Sequence, residues 1–174
     1  MRKGEARRLR RLILLAAAVA VVLLAGGGAL RLGDEAAPET RTAQVIRVVD
    51  GDTILVLLDG VRERVRYIGI DTPESVAEQP LECYGHRASD ENERLVGGRT
   101  VTLTTDEEPR DRFGRLLAYV RREPDDLFVN EALVRRGFAT TLEIRPNVRY
   151  AGTFRDEERR ARAAGRGLWG ACDR

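Results

Sequence analysis

An uncharged apolar run near the amino terminus limits what this chain can fold into. It covers nineteen residues, from Leu12 to Leu30, and follows a segment with five arginines, one lysine and one acid. A helix of this length just spans a bilayer core. Because the basic residues precede the run, the positive-inside rule places the rest of the chain outside the cytoplasm. We expect residues 1–30 to form an uncleaved membrane anchor, with a cleaved signal peptide or a buried core helix as alternatives.

The remaining sequence divides into a polar linker over residues 31–42 and one domain over residues 43–174. The first 40 residues hold seven basic and four acidic side chains, so 23 basic and 24 acidic side chains remain. Such a domain lacks the positive field that many nucleic-acid-binding proteins use for capture. Phosphate binding would therefore depend on local arginine clusters. Nothing in the sequence requires a partner chain, and we expect a monomer.

The single histidine, His86, narrows the possible chemistry. Ribonuclease chemistry with paired histidines is excluded. A Ser-His-Asp triad or a metal site with several histidines would depend entirely on this residue. A hydrolase built from this chain would therefore use carboxylates, arginines and an oxygen-ligated metal.

Apolar alternation and turn signals predict five short strands with helices between them. The predicted strands cover 45–49, 53–58, 61–70, 100–105 and 116–121, and the predicted helices cover 84–96, 127–136 and 150–164. Five strands with a helix inserted after the third are typical of a small closed barrel of the oligonucleotide-binding (OB) type. The expected class is α+β, mainly β: a five-stranded OB-fold barrel with three helices, preceded by the N-terminal hydrophobic helix.

Five motifs follow one another along the domain. They are Val49-Asp-Gly-Asp-Thr53, Arg66 with Ile70-Asp-Thr-Pro-Glu74, Tyr84-Gly85, Asp111-Arg-Phe-Gly-Arg115 and Val129-Asn-Glu-Ala-Leu-Val134. Each is weak alone, but in this order they closely resemble the staphylococcal nuclease (thermonuclease) family, over residues 44–170. The resemblance implies an OB barrel with three helices that hydrolyses DNA and RNA to products with 3′-phosphate ends. We expect single-stranded or flexible strands to be preferred, because a narrow arginine-lined cleft accepts them more easily than a stiff duplex.

Two carboxylates are candidate metal ligands. Asp52 follows a hairpin turn and Asp71 ends the third predicted strand, so both could share one hard cation. The resemblance implies that they bind calcium, with the main-chain carbonyl of Thr72 as a third ligand. Ligation by oxygen alone suits calcium or magnesium and does not suit zinc. The alternative is that Asp52 and Asp71 only stabilise turns.

Three further residues are candidates for the chemistry. Glu74 resembles the family's carboxylate that activates or orients the attacking water, and a carboxylate base agrees with the scarcity of histidine. Arg66 and Arg115 resemble the two arginines that grip the phosphate, because a guanidinium group can donate two parallel hydrogen bonds to phosphate oxygens. The alternatives are a solvated loop acid for Glu74 and surface ion pairs for the arginines.

The sequence departs from the family pattern at the expected nucleotide-binding surface. Residues 140–146 contain no tyrosine, although the staphylococcal enzyme places tyrosines there against the nucleotide, and Phe113 replaces a tyrosine beside Arg115. This departure leaves two alternative functions open. One is a non-catalytic OB-fold module, tethered to the membrane, that binds nucleic acid or a protein. The other is an envelope-anchored structural domain without a ligand.

The two cysteines, Cys83 and Cys172, bear on the compartment. An even number of cysteines in a chain predicted to be exported favours a disulfide, with free buried thiols as the alternative. We expect a single-pass protein of the cell membrane with its domain on the extracytoplasmic side. If the N-terminal segment is cleaved, we expect a secreted protein.

Overall fold

The computed structural model describes residues 38–75 and 82–172. The expected anchor or signal segment, residues 1–30, lies outside this part of the chain, as do residues 31–37 of the expected linker. Within the described residues, no helix has both the length and the apolar character needed to cross a membrane.

Strands from both halves of the domain form a closed barrel. The described residues contain strands β1 (Thr40–Val48), β2 (Thr53–Leu58), β3 (Val61–Tyr67), β4 (Ile70–Asp71), β5 (Thr100–Thr104), β6 (Leu116–Arg122), β7 (Leu127–Phe128) and β8 (Thr140–Thr141). Antiparallel pairing orders the long strands β3-β2-β1-β5-β6. Parallel pairing between β3 and β6 then closes this sheet on itself. The predicted five-stranded barrel is therefore confirmed.

Helices cover the barrel and complete its core. They are α1 (Gly85–Val96), α2 (Val129–Arg136), α3 (Ala151–Ala163) and the four-residue α4 (Leu168–Ala171). Alternate residues of the strands point inward, such as Ile54 and Val56 on β2, and the fully buried Leu133 of α2 and Phe154 of α3 pack on them. Each such burial stabilises the fold by about 1.5–3 kcal/mol relative to an exposed side chain.

Three predicted boundaries are wrong, each because of a contact with another part of the fold. β1 begins at Thr40, inside the expected linker, because residues 40–44 pair with β5. The helix predicted from residue 127 begins at Val129, because residues 127–128 pair with β6 as β7. The strand predicted over residues 61–70 is interrupted at Gly69, which has φ +80° and leaves no room for a side chain against the Phe154 ring. Glycine adopts this left-handed conformation without strain.

A buried amide fixes α2 to the barrel. The Asn130 side chain is fully buried; its Nδ2 donates to the carbonyl of Ile68, and its Oδ1 accepts from the Val120 amide. Asn130→Ala leaves both main-chain groups without this partner in the core, so the free energy of unfolding should fall by about 2–3 kcal/mol. Urea unfolding monitored by far-UV circular dichroism measures this change. A fall below about 0.5 kcal/mol would contradict the assigned role.

Candidate active site

The turn between β1 and β2 is held in place by α1 and by the segment after β4. The Asp50 side chain accepts a hydrogen bond from the Asp52 amide at 3.0 Å. The Asn92 side chain of α1 donates to the Asp50 carbonyl at 2.9 Å. Gly51 lies so close to Thr72 that an added Cβ would be 2.6 Å from its hydroxyl oxygen. Only glycine therefore fits at the centre of this turn, which brings Asp52 and Thr72 together.

Asp52 is a buried carboxylate with partners on both oxygens. Its Oδ2 accepts hydrogen bonds from the Thr72 amide at 2.8 Å and the Thr72 hydroxyl at 3.0 Å. Its Oδ1 accepts from the Thr53 hydroxyl and lies 3.0 Å from Nε of Arg66. Burial raises the pKa of Asp52 to about 7, although the Arg66 charge acts in the opposite direction. An additional cation nearby would stabilise the ionised form of this buried carboxylate.

Arg66 joins the two expected metal-binding carboxylates. Besides the ion pair with Asp52, its Nη2 donates to Oδ1 of Asp71 at 2.7 Å. Its Nη1 donates to the carbonyls of Tyr67 and Ile70, at 2.9 and 2.8 Å. Three of the five guanidinium N–H groups thus donate hydrogen bonds and Nε lies in the ion pair with Asp52, so one N–H on Nη2 is left for a substrate. Arg66 therefore holds the acids together and has limited capacity to grip a phosphate.

The expected calcium ligands fit a hard cation by their donor type. Asp52, Asp71 and the carbonyl of Thr72 offer only oxygen atoms, and both carboxylates lie within ion-pair distance of one guanidinium group. Burial of Asp52 near the further carboxylate of Asp50 also favours added positive charge. Among the described residues, no cluster of three or more His, Cys, Asp or Glu side chains is arranged around a metal-sized position. A cation here would be held by two carboxylates, a carbonyl and solvent.

Glu74 lies within the electrostatic influence of these acids. Burial, and then repulsion from Asp50, Asp71 and Glu82, raises the pKa of Glu74, while Arg66 partly offsets the effect. Its main chain is fixed by two bonds with Glu82: the Glu74 amide donates to Oε2, and the Glu82 amide donates to the Glu74 carbonyl, both at 3.2 Å. A carboxylate with a raised pKa is a stronger base than an ordinary one.

Arg115 reaches the site from the other side of the barrel closure. It directly precedes β6, whose parallel register places Arg66 opposite Leu117. Both Arg66 and Arg115 line one open pocket of about 470 Å³. Nε of Arg115 donates to Oδ2 of Asp111 at 2.7 Å, while its two terminal nitrogens donate no other hydrogen bond within the described ranges. Arg115 therefore presents a guanidinium fork that is oriented and available.

Asp111 holds Arg115 in place, a contact that the sequence motifs alone do not predict. Burial alone would raise the pKa of Asp111, but hydrogen bonds from the Arg115 side chain and from the Arg115 and Phe113 amides lower it. The one sequence signal for this contact is that Asp111 begins the same motif that ends in Arg115. The Asp111–Arg115 contact depends on a tight turn, in which the Gly114 amide donates to the Asp111 carbonyl.

Part of the pocket lining is apolar. Leu142, Ile144 and Phe113 contribute to it, and 70% of the Phe113 surface is exposed. These residues take the place of the tyrosines that the family resemblance leads one to expect. They offer a nucleobase an apolar surface without hydroxyl groups.

Cys83 and Cys172, the suspected pair, form a disulfide with an S–S distance of 2.03 Å. The bond lies close to the site, because a surface pocket of about 280 Å³ is lined by both cysteines together with Asp71 and Thr72. The disulfide also directly follows Glu82, whose contacts fix Glu74. It therefore joins the carboxyl-terminal tail to the segment that carries the candidate base.

Comparison with known proteins decides the family. The family model described as staphylococcal nuclease homologue matches residues 64–171. The chain belongs to the staphylococcal nuclease family. The match begins within β3 and ends with α4, and thus includes the parallel closure that brings Arg66 and Arg115 to one pocket.

Relatives of this nuclease family extend over most of the domain. The chain is 38% identical to a protein named thermonuclease from Staphylococcus hyicus over 130 residues, which cover 74% of this chain and 76% of the relative. It is 39% identical to the thermonuclease of Staphylococcus intermedius over 126 residues, 72% and 74% of the two chains. It is 38% identical to endonuclease YncB of Bacillus subtilis strain 168 over 128 residues, 71% and 59% of the two chains.

Proposed function

We propose that this protein is a calcium-dependent nuclease that hydrolyses DNA and RNA outside the cytoplasm, preferring single-stranded or flexible strands. Membership of the staphylococcal nuclease family makes the chain a nuclease, a hydrolase of phosphodiester bonds. The observation that carries the proposal is the convergence of the chemistry-bearing groups. Arg66 bridges the two acids Asp52 and Asp71, and it lines the same pocket as Arg115.

The residues divide the reaction between them. Glu74, whose pKa is raised, takes a proton from the attacking water or orients it. Arg115 donates from its two terminal nitrogens to the phosphate oxygens, where negative charge increases in the transition state. Arg66 adds its remaining N–H group and keeps the acids in position. The family resemblance implies products with 3′-phosphate ends.

The metal proposal concerns the oxygen donors. Asp52, Asp71 and the Thr72 carbonyl would hold the calcium ion, which when bound supplies positive charge against the substrate phosphate. The donor set excludes soft ligands, which supports calcium or magnesium over zinc. Arg66 would stay next to both carboxylates and keep them oriented.

The location proposal depends on two observations. The apolar run of residues 12–30 is long enough for an anchor or a signal, and the Cys83–Cys172 disulfide agrees with an oxidising compartment. We propose a domain on the extracytoplasmic face, tethered by residues 1–30 or released by cleavage. It would act there as a monomer.

A degradation assay tests the proposed function. The full chain is incubated with denatured DNA and either calcium or a chelator, and the acid-soluble nucleotides are measured. We expect degradation with calcium. With chelator, the degradation rate should fall at least 100-fold, because no cation then offsets the repulsion between the carboxylates and the substrate phosphate. Retention of DNA without degradation would instead support the binding module. Equal degradation in chelator would contradict calcium dependence.

A further inference from the structure

A row of arginines extends from the site along one face of β3. Residues Arg62, Arg64 and Arg66 alternate with side chains of the other face, among which Val65 and Tyr67 are buried in the core. Arg66 holds the carboxylates of the candidate site. Arg62 and Arg64 are exposed, and neither guanidinium group forms an ion pair or a hydrogen bond with the rest of the described chain. Of these two, Arg64 lies nearer to the site and is therefore an available cation beside it.

The barrel closure places Arg64 beside Arg115. β3 and β6 run parallel with Val65 opposite Leu116. Continuing this register by one residue brings Arg64 opposite Arg115. The two arginines line an open groove of about 390 Å³ together with Phe113 and Gly114. This groove adjoins the larger pocket, because Arg115 and Phe113 line both.

The groove is held in shape by contacts on its far side. Arg110 donates two hydrogen bonds to the Glu63 carboxylate, at 3.0 and 2.8 Å, and one to the Gly114 carbonyl at 2.9 Å. Glu63 lies between Arg62 and Arg64 in the sequence but belongs to the other face of β3. The turn that carries Phe113 and Arg115 is thus fixed to β3 while Arg64 stays uncovered. A bidentate pair of this kind defines geometry as well as charge.

The groove combines cations with an exposed aromatic ring. The Phe113 ring is flanked by the guanidinium carbons of Arg112 at 4.7 Å and Arg115 at 5.6 Å from its centroid. Guanidinium groups bind phosphates, and exposed aromatic rings stack on bases, which together is the chemistry of single-strand binding. Alternate residues of a strand are about 6.8 Å apart, so Arg64 reaches a different phosphate from the one at Arg66.

We propose that Arg64, together with Phe113, forms a subsite for the phosphodiester next to the scissile one in a single strand of nucleic acid. The inference rests on the proposed function, because it takes the strand to lie across the Arg66–Arg115 pocket. Arg64 binds and aligns the strand without touching the reacting phosphate. It compensates locally for a domain that carries almost no net charge.

Binding without cleavage tests the subsite. The full chain carrying Glu74→Gln is titrated with a fluorescent thymidine octanucleotide at several salt concentrations, with and without Arg64→Gln. We expect about two- to fivefold weaker binding with Arg64→Gln, comparable to the loss of one exposed ionic contact. The slope of log affinity against log salt should become shallower by about 0.7. Equal melting temperatures establish that both variants are folded.

Arg99→Gln provides the matched control. Arg99 is exposed and lies just before β5. Val101 of β5 pairs with Arg122, which lies about 20 Å along β6 from Leu116 and thus far from the groove. Arg99→Gln removes the same charge as Arg64→Gln. Equal losses of octanucleotide affinity in the two variants would overturn the proposed subsite. In the cleaving enzyme, Arg64→Gln should raise KM for the octanucleotide more than for a dinucleotide. Absence of cleavage by the unmodified chain contradicts the proposed function, whereas the binding comparison still decides the role of Arg64.

Discussion

Glu74→Gln is expected to lower kcat on denatured DNA by about 100- to 1000-fold, the usual effect of removing a general base or a transition-state donor. The glutamine has nearly the same shape but cannot take a proton from water. The pKa of Glu74 is raised by burial and by the surrounding acids, which makes the native carboxylate an effective base. Initial rates with saturating DNA and calcium measure the change.

The fold should survive this substitution, because the contacts of Glu74 with Glu82 use its main chain. Glu107→Gln is the matched control, since Glu107 is an exposed acid that follows β5 and lies outside the site. We expect its rate to stay within a factor of two of the unmodified enzyme. Activity within tenfold of the unmodified enzyme in Glu74→Gln would remove this residue from the proposed reaction.

Replacing both cysteines by serine should lower the free energy of unfolding by about 2–5 kcal/mol. The bond joins residues 89 positions apart, so its loss frees a long loop in the unfolded chain. Activity should fall as well, because Cys83 follows Glu82, whose contacts fix Glu74. Urea unfolding of the double variant and of the unmodified chain measures the first effect.

Reduction of the unmodified chain provides the control for this prediction. The reduced protein should unfold at the same urea concentration as Cys83→Ser/Cys172→Ser, since both lack the same cross-link. The double variant should keep its barrel, whose strands pair without help from the tail. A change below about 1 kcal/mol would mean that the bond restrains a segment that is already ordered when the chain is unfolded.

Local patterns predict the barrel well. Asp59-Gly60 marks the β2–β3 hairpin, and alternating apolar residues mark the strands, because inward-facing positions recur every second residue. The boundaries at Thr40 and Val129 could not be found in this way. The first depends on pairing with β5, which is about sixty residues away, and the second on a short hairpin between β6 and β7 that the helical pattern from residue 127 hides.

The same distinction applies to the candidate site. The acids and arginines were singled out by their motifs, which are short and contiguous. The supports of those residues come from elsewhere, as when Asn92 of α1 holds the Asp50 carbonyl 42 positions earlier in the chain. Sequence spacing carries no information about such partners. The pairing of Arg64 with Arg115 likewise emerges only from the parallel register of β3 and β6.

That register has a consequence for when the protein can act. Arg66 and Arg115 belong to segments almost fifty residues apart, and β3 must dock on β6 before the two arginines line one pocket. An incompletely folded chain thus carries these two arginines apart from each other. Hydrolytic competence would switch on in one step with completion of folding, which would protect the nucleic acids of the cell that makes the enzyme.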